Sequence, residues 1–223
     1  MRPTRLAVAV LIGAAAIVGV LILSRGEGDS TPRPHAERAR PSSAPSWQAF
    51  HGVRLPLSES DGPRHLDGDL AAGFARTEQG ALLAALHIAV RANAQWGPSV
   101  FEPTIERQVV GPDKQALLDA TRRLYEQSRI EAGLPDGAPL GEAFVVYEAY
   151  RWESFTPQAA TVDIVSAGPN TTGGTVRAST RIQVRWHDGD WRVVAPLGGD
   201  WGNTAVQVKS LDGYTRLDTG SRG

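Results

Sequence analysis

No cysteine occurs among the 223 residues. That excludes a disulfide framework, a thiol nucleophile and a thiolate metal site together. Lysine is nearly missing too: only Lys114 and Lys209 stand among 23 basic residues, so arginine carries almost all of the positive charge. Excess charge of either sign is also absent, with a formal net charge of −1. From Asp61 onward there are 16 basic against 20 acidic residues. A domain with that balance lacks the positive footprint that holds a phosphate backbone, so direct nucleic-acid binding is not expected.

Motifs for metals and nucleotides are lacking as well. The five histidines, His35, His51, His65, His87 and His187, show no ligand spacing, and there is no HExxH pair. The glycine-rich stretch Gly198-Gly199-Asp200-Trp201-Gly202 lacks the Lys-Ser/Thr ending of a phosphate-binding loop. No metal and no cofactor are expected.

What is present begins with an apolar run of 18 residues, LAVAVLIGAAAIVGVLIL, from Leu6 to Leu23. As a helix it would span ~27 Å, close to the ~30 Å hydrocarbon core of a bilayer. Arg2 and Arg5 precede it. The run is longer than the apolar region of a cleaved signal, and no small-x-small cleavage site follows it. A polar stretch follows directly, which argues against a buried core helix. The reading is an uncleaved anchor that ties the chain to the membrane, with residues 1–5 as a cytoplasmic tail. The basic start keeps that tail inside and places the rest of the chain outside the cytoplasm. Ala9/Gly13 and Ala15/Gly19 are small-xxx-small pairs, so a homo-oligomer packed through its anchors is one open arrangement.

Residues 24–46 (SRGEGDSTPRPHAERARPSSAPS) have no apolar side chain beyond alanine and read as a disordered linker. Order is expected over residues 47–217, with a flexible tail at 218–223. Val53, Leu55 and Leu57 alternate as in a short strand, and Pro56 confines that strand to an edge. Thr77 reads as the N-cap of a helix with Glu78 and Gln79 in its first turn, and the stretch 80–94 of that helix is apolar almost all round. A second helix is expected over 98–110 and a third over 114–132, the latter with Leu117, Leu118, Leu124 and Tyr125 inward. The period then changes. Strands are expected over 144–155, 159–167, 175–187, 191–195 and 205–211, with Asp188-Gly189 as a hairpin turn. Helices followed by a meander make an α+β domain, with helices packed on one concave face of an antiparallel sheet.

Three helices and a curved sheet ending in Trp186-His187-Asp188-Gly189-Asp190-Trp191-Arg192-Val193 resemble the nuclear transport factor 2-like cone fold. The segment from Gly73 to Ala85 (GFARTEQGALLAA) resembles a group of actinobacterial single-pass membrane proteins linked to integrative conjugative elements. The anchor, linker and cone also resemble the inner-membrane scaffolds of type IV secretion and Gram-positive conjugation channels. That resemblance implies a non-enzymatic scaffold or adaptor whose partners are other membrane and channel proteins. The departures are a five-residue tail and a single cone where some relatives carry two.

The cone fold also hosts enzymes, which need an acid or base and hydrogen-bond donors in the cavity. By residue type the candidates are His87, Tyr147, Tyr150 and Asp163, each with a structural explanation, and no catalytic residue is assigned. A small-molecule or lipid-binding cone therefore stays open, as does a wall-associated accessory protein. Candidate partner-binding residues are Arg177, Arg181 and Arg185, on one face of a strand, and Trp201. The arginines either dock an acidic partner or pair across strands with Glu148 and Asp163. Trp201, in a loop expected to be mobile, either packs back on the sheet or is presented to a partner.

Overall fold

The computed structural model describes residues 46–67, 70–170 and 174–217. The expected anchor at 6–23, the tail before it, the linker through residue 45 and the end of the chain from 218 lie outside the described residues. Among the described residues no helix is long and apolar enough to cross a membrane.

In chain order the elements are β1 (Ser46–Phe50), β2 (Val53–Leu57), β3 (His65–Asp67), β4 (Leu70–Ala72), α1 (Glu78–Arg91), α2 (Pro98–Gln108), β5 (Val109–Val110), α3 (Lys114–Glu131), β6 (Val146–Phe155), β7 (Ala159–Pro169), β8 (Thr175–His187), β9 (Asp190–Val194), β10 (Ala205–Val208) and β11 (Thr215–Arg216). Seven of these strands form one sheet, ordered β11-β6-β7-β8-β9-β5, with β10 also paired to β8. The fold is α+β, as expected. Some details differ from expectation: Val109 and Val110, expected at the end of the second helix, form β5 instead, and β10 stops at Val208. Ser46 belongs to β1 rather than to the linker, and β5 pairs in parallel with β9 in a sheet expected to be wholly antiparallel.

Helix α1 starts where Thr77 Oγ1 accepts the Gly80 amide at 3.0 Å. The Thr77 hydroxyl in turn donates to Asp61 Oδ1 at 2.6 Å. From Gly80 to Arg91 every residue of α1 is buried. That all-round burial arises because the sheet, the hairpin β1–β2 and α2 each cover one side. Val53 and Leu55 of the hairpin close over it. Helix α3 leans chiefly on α2 and on the 3₁₀ turns at 94–96 and 197–199. Leu117, Leu118, Thr121 and Tyr125 form its inner face, whereas Leu124, expected inward, is 37% exposed.

The strongest tie between the two halves of the chain is one carboxylate. Asp190 sits just after the β8–β9 turn, where Asp188 (φ 49°) and Gly189 (φ 78°) adopt the left-handed conformations of a two-residue hairpin. Its oxygens accept the amides of Gly73 (2.9 Å), Phe74 (3.0 Å) and Trp191 (2.9 Å) and pair with Arg192 at 3.2 Å. The indole of Trp191, fully buried, donates to the Ala75 carbonyl at 2.8 Å. Arg76 lies over the Trp186 ring and donates to the Pro157 carbonyl. A Cβ on Gly80 would overlap the Ala75 carbonyl oxygen, so only glycine fits under this turn. The segment beginning at Gly73 and the segment ending at Val193, which carry the two resemblances, are therefore the two sides of one junction.

The other face of the sheet is crossed by the chain itself. β10 adds to the edge of β8 and β11 to the edge of β6, so residues 209–214 must pass over β7. Four strand spacings of ~4.8 Å come to ~19 Å, close to the reach of so short a segment. This strap carries Tyr214, whose hydroxyl lies 3.0 Å from Ser179 Oγ and whose ring lies under the Arg151 guanidinium.

Charge-assisted bonds to backbone amides are the strong kind, and stranding buried donors is costly. Replacing Asp190 by alanine should lower the unfolding free energy by about 3–5 kcal/mol in a urea titration, and by asparagine a smaller amount. A loss below about 1 kcal/mol for the alanine variant would remove this carboxylate from its assigned place in the fold.

Candidate functional site

Three places could host function: the interior between α1 and the sheet, the arginine face, and a groove beside α3. The interior holds His87. Its Nε2 lies 2.8 Å from the Pro56 carbonyl, which can only accept, so Nε2 carries the proton. Nδ1 then accepts from Arg91 Nη1 at 3.1 Å. Burial, and next the adjacent Arg91 charge, push its pKa down to about 3. A neutral histidine with both nitrogens occupied has no proton or lone pair to offer a substrate. The Arg91 guanidinium itself lies 4.1 Å from the centre of the Phe50 ring.

Tyr147 and Tyr150 both face this interior because a bulge between Tyr147 and Ala149 shifts the alternation of β6. Burial pushes the hydroxyl pKa of each upward. Tyr150 continues into a run of ring contacts through Trp152 and Phe155 to Trp191 and Trp186. Phe74 and Trp191 are buried beside them, whereas Phe101 and Tyr125 pack against each other between α2 and α3. Asp163 is on the opposite face of the sheet, so the four enzyme-type candidates do not converge.

On that opposite face the arginines are mostly answered. Arg177 makes two hydrogen bonds to Glu148. Arg181 makes two to Asp163, and Arg151 makes a third. Glu153 pairs with both of these arginines. Asp163 was expected on the polar register of β7, and it is there, yet it is only 5% exposed because its partners cover it. Burial raises its pKa, but the hydrogen bonds from Arg181 and Arg151 outweigh that and hold it below the usual carboxylate range. Arg185 is exposed and stands directly opposite Arg192 across β8 and β9. Among the described residues the face is thus a nearly neutral ion-pair lattice with one uncommitted cation, not a basic stripe.

The groove lies between α3, the end of α1 and residues 199–201, with a cavity volume of about 230 Å³. Gly198 and Gly199, both left-handed (φ 66° and 70°), bring the β9–β10 connection against the start of α3. A Cβ on Gly199 would overlap the backbone at Ala116 and Leu117. The Gly198 amide donates to Asp113 Oδ1 at 3.1 Å. The stretch expected to be a mobile loop is therefore docked on α3, and Trp201 is 9% exposed and lines the groove instead of standing free. Leu124 forms a lip, and Leu197 nearby in the chain is 75% exposed. Sequence reasoning finds Trp201 but misses Asp200 and Leu124 beside it; the Gly198-Gly199 doublet is the available signal.

The family model of a domain of unknown function, DUF8175, matches residues 15–216. The chain belongs to this family. The match begins within the apolar run and ends at the last residue of β11, so the DUF8175 unit extends N-terminally beyond the described residues. No curated protein and no solved structure matches the chain. Among the described residues of the DUF8175 domain, no cluster of histidine and carboxylate side chains could hold a metal ion.

His87 gives the domain a pH signature. Its pKa is depressed in the folded state, so the unfolded chain binds the proton more tightly. The stabilisation is complete above pH ~6.5 and is lost as the pH falls toward ~3, at about 1.4 kcal/mol per pH unit. Unfolding measured at pH 6.5 and pH 5 should differ by roughly 2 kcal/mol, and His87→Gln should flatten that difference. An unchanged slope in the variant would contradict the assignment.

Proposed function

We propose that the protein is a membrane-anchored, non-enzymatic scaffold or adaptor of a conjugation or type IV secretion-like apparatus, acting by contact with other membrane and channel proteins. The folded domain is read as a single cone of the nuclear transport factor 2-like kind, held outside the cytoplasm by the apolar run at 6–23. The observation that carries this reading is the packing of the interior. Where a ligand-binding cone would keep convergent polar groups around a cavity, this one has Trp191, Phe74 and the leucines of α1. Its buried histidine is held by the hairpin over α1. The surface, by contrast, offers a docked tryptophan, exposed apolar side chains beside a groove and a lattice of arginines whose charges are largely paired.

Fold alone does not assign function, so the weight rests on the interior packing and on the resemblance of the anchor-linker-cone plan to channel scaffolds. Purifying the full-length protein from its native membrane in mild detergent tests the reading. Channel subunits or a secretion ATPase should co-purify in near-stoichiometric amount. Recovery of the protein alone as a monomer would contradict it.

A further inference from the structure

Taking contact with other proteins as the work of this domain, we propose that the groove between α3 and residues 199–201 receives an arginine side chain of a protein partner. Its size sets the first limit. A volume of about 230 Å³ falls below the ~300–1,000 Å³ of small-molecule sites, so it suits one inserted side chain and not a cofactor. Its walls set the second. Ala92, Ala94, Leu117, Ala120 and Leu124 present hydrocarbon that would pack along a methylene stem.

Charge sets the third. Asp200 lines the groove and is exposed. Its Oδ1 accepts the Gly202 amide at 2.7 Å, which orients the carboxylate and leaves the second oxygen for an incoming donor. Among the described residues no cation pairs with it, whereas Asp163, Asp190 and Glu148 each hold an arginine. Lys114, at the start of α3, donates instead to the Glu106 carbonyl. Trp201 beside Asp200 adds a ring that attracts a cation. An acidic side chain would be repelled there, and a purely apolar one would leave the carboxylate unanswered. A planar guanidinium on a three-carbon stem meets the wall, the ring and the carboxylate at once.

The test is a titration of the ¹⁵N-labelled full-length protein in detergent micelles with N-acetyl-arginine amide, read by NMR. N-acetyl-citrulline amide, which is neutral and of the same shape, is the comparison. Saturable shifts are expected at the Trp201 indole and at the amides of Ala94, Ala120 and Leu124. Citrulline should bind at least about tenfold more weakly, and Asp200→Asn, which keeps an acceptor for Gly202, should weaken arginine binding by a similar factor. Absence of saturable shifts at the groove, equal binding of citrulline, or indifference to Asp200→Asn would overturn the proposal. If channel subunits still co-purified after such a result, the arginine site would fall and the scaffold reading would stand. Arginine binding by a protein recovered alone would mean the opposite: the site would stand and the scaffold reading would fall.

Discussion

The Asp190 carboxylate is the constraint on which the architecture depends. It closes the β8–β9 hairpin, holds the amides of Gly73 and Phe74, and so fixes where α1 begins relative to the sheet. Trp191, placed by the same turn, fills the space under α1 and ties its indole to Ala75. Gly80 then has to be glycine because the carbonyl it passes is held in place. Residues more than a hundred positions apart thus specify one another. The two segments that carry the resemblances are used for folding.

That commitment bears on function. An aspartate beside two tryptophans and an arginine invites a catalytic reading, yet its oxygens are occupied by backbone amides and by Arg192. The same holds for His87, whose two nitrogens are divided between Pro56 and Arg91. Both groups serve the fold, and on the outside stand Asp200 beside Trp201, the apolar lip at Leu124, and Arg185.

Much of the fold is legible in the sequence because its signals are local. Thr77 caps, the apolar run behind it buries, and the strict alternation of β8 ends at a two-residue Asp-Gly turn. What stays hidden is non-local. The parallel pairing of β5 with β9 involves two residues, too few for a periodic signal. The burial of Ser179 depends on the strap at 209–214 crossing the sheet, which no spacing announces. The bulge in β6 between Tyr147 and Ala149 breaks the alternation, so nothing in the spacing shows Tyr147 and Tyr150 sharing a face. For the site, Trp201 is visible as a residue type, but its place beside the groove depends on Gly199 approaching a helix distant in sequence. Asp200 is hidden because a lone acid in a glycine-rich loop ordinarily reads as a turn.

Whether this domain works through its outside is addressed most directly by site-specific photo-crosslinking in the native membrane. The crosslinker is placed at Leu124 on the groove and, as a control, at the exposed Leu66 on β3. A discrete crosslinked product to another membrane protein is expected from Leu124 and none from Leu66. No product from Leu124, together with a small molecule retained by the purified domain, would contradict an outward-working domain and return attention to the interior.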